Sequence, residues 1–256
     1  MIKVQNLSKS FGSQEVLRAL NLEVATAEIM AIIGRSGGGK SVLLKHLIGL
    51  LRPDSGSIFV DGVEITRLRG SALDPIRSHF GVVFQGGALF DSMSVFENVA
   101  FPLREKSRHS AAEIRERVEE KLGQVGLDGM ADKNPAEISG GMRKRVAIAR
   151  ALVTEPRVVF FDEPTTGLDP ILVNTIHHLI VELHRKFRFT AVVISHEIPE
   201  IFTVAERVAM LHDGVIVESG SPESLQSSRN PVVQQFIHGA VEGAPLERGS
   251  REGTQT

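Results

Sequence analysis

Short apolar runs recur along this chain, and helical patterns separate several of them. The runs predict β-strands near residues 2–4, 20–24, 29–33, 57–60, 81–84, 158–161, 191–194, 208–211 and 214–219. The segment at residues 28–33 is apolar except at its first position, which is typical of a short buried strand. Strands that alternate with helices in this way predict an α/β core.

The stretch between residues 110 and 125 has a different pattern, that of an amphipathic helix. Ser110 and Glu113 have the spacing of a capping box, which marks the start of a helix. The apolar positions fall on one face, and they are Ile114, Val118, Leu122 and Val125. Glu, Arg and Lys occupy the other face. The pattern predicts a mainly helical insert, at about residues 92–152, that interrupts the α/β core.

Composition and charge narrow the class of protein. The 256 residues suit one large domain, or a core domain carrying a smaller subdomain. With 29 Lys and Arg against 31 Asp and Glu, the chain has no general attraction to nucleic acid, so no nucleic-acid partner is predicted. The absence of cysteine excludes disulfides, thiolate metal sites and cysteine nucleophiles, and it is consistent with a cytoplasmic location.

The N-terminal residues bear on membrane targeting, and the C-terminal residues bear on order. Residues 1–4 lack the basic and then apolar pattern of a signal peptide. No apolar run approaches the ~20 residues needed to cross a bilayer, so we expect a partner to hold the protein at any membrane where it works. Residues 239–256 are rich in Gly, Glu, Arg, Ser and Thr, and we expect a disordered tail after a single domain at residues 1–238.

The strand at residues 28–33 leads into a turn with the pattern G-x-x-x-x-G-K-[ST]. Its residues are Gly34, Arg35, Ser36, Gly37, Gly38, Gly39, Lys40 and Ser41. Glycines let backbone N–H groups approach a polyphosphate, and the helix predicted at residues 42–51 adds the positive end of its dipole. Lys40 is the predicted cation for the β- and γ-phosphates, and Ser41 is the predicted Mg²⁺ ligand. The alternative is a glycine-rich turn that binds no ligand.

Two acidic residues follow the strand predicted at residues 158–161. Asp162 and Glu163 stand at its carboxyl end, where open parallel sheets bind their ligands. Asp162 is the predicted Mg²⁺ residue, and Glu163 is the predicted general base that orients and deprotonates water. The alternative is an ordinary acidic cap or turn, but the presence of a phosphate loop in the same chain favours catalysis.

Two further polar residues follow predicted strands. His196 comes after the apolar run at residues 192–194 and is predicted to donate a hydrogen bond to the γ-phosphate. Gln85 follows residues 82–84, and its amide is predicted to reach Mg²⁺ or the attacking water. The alternatives are a structural histidine and a polar strand end. Their position at strand ends beside the phosphate loop favours a catalytic role for both.

In their order along the chain, these segments resemble the motifs of the ATP-binding subunits of ABC transporters, over about residues 1–225. The matching motifs are the Walker A loop at residues 34–41, the Q-loop residue Gln85, the signature at 138–141, Walker B at 160–163, the D-loop at 167–169 and the switch residue His196. The resemblance implies an α/β P-loop NTPase (RecA-like) core with an N-terminal antiparallel β subdomain and an inserted α-helical subdomain. It also implies ATP and Mg²⁺ as cofactors and ATP hydrolysis as the activity.

The resemblance adds a second nucleotide-binding segment, Ser139, Gly140 and Gly141, which precedes a predicted helix. In the family, ATP lies between the Walker A loop of one subunit and the signature of the other, so one implied partner is a second copy of the chain. Asp169 of the D-loop joins the implied nucleotide-binding residues. Met142 stands where family members commonly have Gln. Because the serine and the glycines supply the phosphate contacts, we expect ATP use to survive this departure.

Phe11 falls where family members stack an aromatic ring, usually that of Tyr, on adenine. Phenylalanine keeps the ring face and loses only the hydroxyl, so Phe11 is the implied adenine contact. The alternative is that Phe11 belongs to the hydrophobic core.

Residues 84–104, together with Val42 after the Walker A loop and Met142 in the signature, resemble the ATPases of Mla phospholipid transport systems. Such systems place two ATPase subunits on two integral membrane permease subunits and work with MCE-domain lipid-binding proteins. The resemblance implies a place on the cytoplasmic face of the inner membrane. It also implies phospholipid transport between that membrane and the outer membrane, a process that bears on lipid asymmetry.

Residues 88–102 are the predicted permease-docking surface, since Gln85 joins the core to the helical insert. Its apolar residues are Phe90, Val95, Phe96, Val99 and Phe101, and the alternative is that they pack inside the helical subdomain. Other functions remain open: small-solute import, for example of amino acids, and a soluble ABC ATPase assembly factor. An interaction module with a decayed site conflicts with the intact motif residues.

Overall fold

The computed structural model describes residues 1–106 and 109–239, and two β-sheets form its framework. The tail predicted to be disordered lies outside the described residues, except for Gly239. None of the helices within the described ranges is long and apolar enough to span a bilayer.

The first sheet is antiparallel and belongs to the N-terminal part of the chain. In spatial order its strands are β2 (Gln14–Val24), β1 (Ile2–Phe11), β4 (Ser55–Val60) and β5 (Val63–Glu64). At the start of β1, Ile2 and Val4 are buried whereas Lys3 and Gln5 are exposed, the period of two expected of a strand with one face on a core. This sheet is the antiparallel subdomain that the family resemblance implied.

The second sheet has six strands and is parallel except at one edge. In spatial order its strands are β10 (Val215–Gly220), β9 (Arg207–His212), β3 (Ile29–Ile33), β8 (Thr190–Ile194), β7 (Val158–Asp162) and β6 (Phe80–Val83). Only the edge strand β10 pairs antiparallel, with β9. The carboxyl ends of β3, β6, β7 and β8 therefore lie along the same edge of the sheet.

The α-helices of the described ranges are α1 (Lys40–Leu47), α2 (Asp74–Arg77), α3 (Val95–Lys106), α4 (Ala111–Gln124), α5 (Gly140–Leu152), α6 (Pro170–Phe187), α7 (Pro222–Gln226) and α8 (Pro231–Ile237). Three of them, α3, α4 and α5, come between β6 and β7 in the chain. The capping box predicted at the start of α4 is confirmed, because Ser110 and Glu113 bond reciprocally.

The two faces of the parallel sheet contribute to two hydrophobic clusters. Ala31 and Phe161 pack in a cluster that includes residues of α3, α4, α5 and α6. Their chain neighbours Met30 and Phe160 pack in the other cluster, with residues of the antiparallel sheet and α1. Side chains alternate across a strand, and here each face of the sheet packs on a hydrophobic cluster. The central strands are therefore continuous runs of apolar residues in the sequence.

Several element bounds differ from those predicted. The helix predicted at residues 42–51 is α1, which begins at Lys40 and ends at Leu47, because Gly49 takes a φ of 71° and its N–H closes the helix end on His46 O. The first two strands are longer than predicted, because they pair as a hairpin that turns between Phe11 and Gln14. The strand predicted at residues 81–84 starts at Phe80 and ends at Val83.

The apolar face of α4 predicts a graded response to truncation. Leu122 is 3% exposed within the cluster that packs α4 on the core, so Leu122→Ala should cost roughly 2–5 kcal/mol of unfolding free energy. Glu119 lies on the exposed face of the same helix, and Glu119→Ala should change stability by less than about 0.5 kcal/mol. Urea unfolding of both variants measures the difference, and equal destabilisation would contradict the assigned face.

Candidate functional site

The phosphate loop is built from glycines that adopt conformations other residues avoid. Gly34, Gly37 and Gly39 have φ values of 150°, 74° and 97°. A Cβ atom on Gly34 would lie 2.2 Å from the backbone oxygen of Leu211, so only glycine fits where the loop passes β9. A Cβ on Gly38 would lie 3.0 Å from Arg35 O, which also favours glycine. Arg35, Ser36 and Gly37 form the exposed part of the loop.

Lys40 lies inside this loop. Its Nζ donates hydrogen bonds to Gly34 O at 2.8 Å and to Arg35 O at 2.9 Å, and the side chain is buried. Burial lowers the pKa of the ammonium, while the carboxylates of Glu163 and Asp162 act to raise it. The loop and the acidic end of β7 are therefore close enough to interact electrostatically.

Ser41 and Asp162, the two predicted Mg²⁺ ligands, are brought together by the fold. The Ser41 hydroxyl lies close enough to the Asp162 carboxylate, at the end of β7, to act on its pKa. Burial and the charge of Glu163 raise the pKa of Asp162 against the opposing effects of nearby lysines and Ser41. A hydroxyl and a carboxylate beside a phosphate loop are oxygen donors of the kind Mg²⁺ prefers, so these residues fit the ion.

Glu163 is the centre of a hydrogen-bonded group. Gln85 Nε2 donates to its Oε2 at 3.1 Å, and His196 Nδ1 lies 3.2 Å from its Oε1. Thr166 Oγ1 also donates to Oε2, at 3.1 Å. The backbone of Glu163 has a φ of 46°, and its N–H donates to Ile194 O at 3.0 Å. A left-handed conformation at a non-glycine residue costs free energy, and here β8 and three side chains hold it in place.

The structure therefore brings together the catalytic residues that the sequence predicted, Glu163, Gln85 and His196, and adds Thr166. The sequence analysis missed Thr166, although a hydroxyl three residues after a carboxylate in a turn is a recognisable signal. A neighbouring pair was missed as well: the Thr165 hydroxyl donates to the Glu197 carboxylate. Neither contact follows from strand-end position alone.

The signature segment forms the start of α5. The Ser139 hydroxyl accepts a hydrogen bond from Met142 N at 3.2 Å and so caps the helix. A Cβ added to Gly140 would lie near Leu168, just before α6, and one added to Gly141 would lie near Leu172, in the first turn of α6. None of the nearest atoms belongs to the phosphate loop. Within one chain, the signature and the Walker A loop thus have different neighbours. Met142 contributes its backbone N–H, a role that any non-proline residue can fill.

Asp169 of the D-loop caps its own helix. Its Oδ1 accepts hydrogen bonds from the backbone N–H groups of Ile171 at 3.0 Å and Leu172 at 3.1 Å. In this conformation its carboxylate fixes the start of α6. The nucleotide-binding role given to Asp169 stays a prediction.

Phe11 is 47% exposed at the hairpin between β1 and β2, so it is not a core residue. Lys9 Nζ lies 5.4 Å from its ring centroid. Further along β2, atoms of Val16 and Leu17 lie 3.2 Å from the place of a Cβ on Gly39, so β2 packs on the phosphate loop. This packing puts the exposed ring on the strand pair that borders the loop.

The ABC transporter family model matches residues 17–166. The chain belongs to this family, as one of its ATP-binding and ATP-hydrolysing subunits. The predicted family and the predicted fold class are confirmed.

Curated relatives cover most of the chain. The probable ribonucleotide transport ATP-binding protein mkl of Mycobacterium leprae is 45% identical over 93% of this chain, which spans 69% of that protein. For mkl of Mycobacterium tuberculosis the identity is also 45%, and the chain spans 66% of the relative. The intermembrane phospholipid transport system ATP-binding protein MlaF of Haemophilus influenzae is 41% identical over 95% of this chain and 92% of that protein. Its Escherichia coli counterpart is 40% identical, with 95% and 90% covered.

Solved structures agree with the fold. A dimeric ATP-binding cassette in a post-hydrolysis state, bound to ADP and Pi, is 33% identical, with a TM-score of 0.79 over 87% of this chain and 99% of that one. The cbiO1 protein from Clostridium perfringens, part of an ABC transporter complex, is also 33% identical, with a TM-score of 0.82 over 89% and 90% of the two chains.

The raised pKa of Asp162 predicts a trade of stability for function. Its folded pKa lies above the unfolded value, so the stability it contributes is present at low pH and is lost as pH rises through the folded pKa. Near neutral pH the partly buried charge of Asp162 therefore opposes folding. Asp162→Asn should make the nucleotide-free chain more resistant to urea at pH 7.5, with a gain that shrinks as pH falls through the folded pKa, and should lower ATP hydrolysis. A less stable variant at pH 7.5 would contradict this reading of the site.

Proposed function

We propose that this ATP-hydrolysing subunit powers phospholipid transport between two membranes, as part of an Mla-type complex. The observation that carries the proposal is the near full-length similarity to MlaF, 41% and 40% identity over at least 90% of each relative. The similarity to mkl is higher in identity, but the chain spans only 69% and 66% of the mkl proteins. The resemblance of residues 84–104, Val42 and Met142 to the Mla ATPases also supports the phospholipid system.

Ribonucleotide transport is the second candidate, supported by the 45% identity to mkl. The residues of this chain that carry chemistry surround a phosphate loop, and they serve ATP rather than a transported molecule. Choice of cargo then rests with the membrane partner. The two candidates differ in that partner and share one ATPase mechanism.

In the proposed mechanism, Lys40 leaves the carbonyl oxygens of Gly34 and Arg35 and pairs with the β- and γ-phosphates of ATP. The backbone N–H groups of Gly37, Gly38 and Gly39 and the start of α1 bind the same phosphates. The phosphate loop supplies the charge and the donors, and Phe11 supplies a ring face for adenine.

Glu163 acts as the general base that takes the proton from the attacking water. Gln85, His196 and Thr166 fix its two oxygens, and His196 is proposed to donate to the γ-phosphate once ATP is bound. Ser41, Asp162 and Gln85 would hold Mg²⁺, which would neutralise charge on the phosphates.

Two chains are proposed to form a two-fold dimer in which Ser139, Gly140 and Gly141 of one protomer face the phosphate loop of its partner. The start of α5 offers an exposed hydroxyl and backbone N–H groups suited to an anion. The dimeric cassette bound to ADP and Pi, at 33% identity, supports this arrangement. ATP then bridges the protomers, and hydrolysis releases them.

The membrane partner is proposed to dock on residues 88–102 of this chain. That contact would hold the chain at the cytoplasmic face of the inner membrane. Val95 and Val99 are fully buried, so for these two residues the packing alternative is correct. Phe90 is 40% exposed, so it is available to permease subunits, and its ring lies 4.9 Å from that of the partly buried Phe101. An MCE-domain lipid-binding protein is the proposed further partner.

The role of Glu163 predicts a trapped dimer. Glu163→Gln keeps the shape and removes the base, so turnover should fall by about 10²–10⁴ while ATP still binds. Size-exclusion chromatography with ATP should then show a stable dimer. Glu182→Gln, an exposed substitution on α6, serves as the matched control with unchanged turnover. Unchanged turnover in Glu163→Gln would remove the residue from the base role.

The cargo is tested by what copurifies with the tagged chain from its native membranes in mild detergent. We expect permease subunits together with an MCE-domain protein and bound phospholipid, detected by mass spectrometry of protein and of extracted lipid. A solute-binding protein without lipid would contradict phospholipid transport and favour the import of a small solute such as a ribonucleotide.

A further inference from the structure

Two cations of the signature helix α5 hold the backbone that carries Gln85. Lys144 Nζ donates a hydrogen bond to the backbone oxygen of Gln85. Arg150 donates to the oxygens of Ala88 at 2.7 Å and Gly87 at 2.6 Å. The two anchors sit at opposite ends of the segment at residues 85–88, so that segment is fixed to one helix.

The segment lies directly on α5. Gly87 and Ala88 have φ values of 77° and 46°, and the N–H of Gly87 closes a turn on Phe84 O at 2.7 Å. A Cβ on Gly87 would lie 3.7 Å from the Ala147 Cβ, in ordinary contact with the helix. Left-handed backbone at Ala88 is unfavourable in isolation, and the Arg150 hydrogen bonds hold it.

Lys144 is buried although it carries a charge. Burial lowers the pKa of its ammonium, while the carboxylates of Glu197 and Glu163 act to raise it. Glu163 also accepts the hydrogen bond from the Gln85 amide. The lysine therefore holds Gln85 from the backbone side, while its charge acts on the carboxylate that the Gln85 side chain contacts.

We propose that Lys144 and Arg150 are positioning residues that lock the Gln85 segment to the signature helix, so that Ser139 and Gln85 move as one unit. Ser139 caps the same helix five residues before Lys144. Movement of the helix start toward a bound nucleotide then displaces Gln85 relative to Glu163. The inference rests on the role proposed for Gln85 in hydrolysis.

The test is a double-mutant cycle on the full chain, with steady-state ATP hydrolysis as the readout. Lys144→Met should lower kcat about tenfold and leave KM for ATP within twofold, because the loop that binds ATP is untouched. In a Gln85→Ala background the same substitution should have no further effect, since the group that it positions is absent. Lys144→Arg, which can still donate to the carbonyl, should recover most of the activity.

Two controls keep the outcome unambiguous. Lys133→Met removes an exposed lysine between α4 and α5 and should leave kcat unchanged. If Lys144→Met does not fold, as judged by its melting temperature, Arg150→Gln is carried through the same cycle. An equal loss of kcat in both backgrounds, or no loss at all, overturns the positioning role while the role of Gln85 stands. An unchanged kcat in Gln85→Ala alone overturns the role of Gln85 and the inference with it.

Discussion

The parallel register of four adjacent strands is the constraint on which the site depends. Val83, Phe161, Val193 and Ala31 form one row across β6, β7, β8 and β3. Gln85 and Glu163 come two residues beyond this row, and Gly34 and His196 come three residues beyond it. Parallel pairing therefore assembles side chains that are far apart in the sequence at one edge. A slip of one residue in any strand would move its contribution to the other face.

Much of this arrangement could be predicted from the sequence. The apolar runs predicted the central strands. The polar residues that follow these runs, Asp162, Glu163, Gln85 and His196, were predicted to share one site, because strand ends in a parallel sheet lie along one edge. The capping box at Ser110 was predictable for a different reason, because it depends on local chemistry alone.

Contacts set by tertiary packing were not predictable. The left-handed backbone of Glu163 depends on a hydrogen bond to Ile194 O on another strand. Lys144 and Arg150 look like exposed helix cations in the sequence, yet both reach backbone oxygens about 60 residues earlier in the chain. The length of α1 was overestimated because the apolar pattern continues beyond Gly49.

The two helix starts proposed to bind phosphate, those of α1 and α5, have separate surroundings. The start of α1 lies at the phosphate loop, to which its first residue, Lys40, donates a hydrogen bond. The start of α5 has Leu168 and Leu172 as neighbours. Among the described residues, the phosphate loop does not reach the start of α5, so the exposed Ser139 hydroxyl there fits the proposal of a half-site. The central claim is that a second chain completes it.

Complementation between two inactive chains tests that claim most directly. Lys40→Ala disables the phosphate loop. Gly140→Glu puts a negative charge at the start of α5, where a Cβ has room and an acidic residue suits the helix dipole. Each variant alone should be inactive. In an equal mixture of the two variants, random pairing makes half of the dimers heterodimers. Each heterodimer has one intact composite site out of two, so activity should recover to about a quarter of the wild-type value. A mixture no more active than its two components would contradict a site shared between chains.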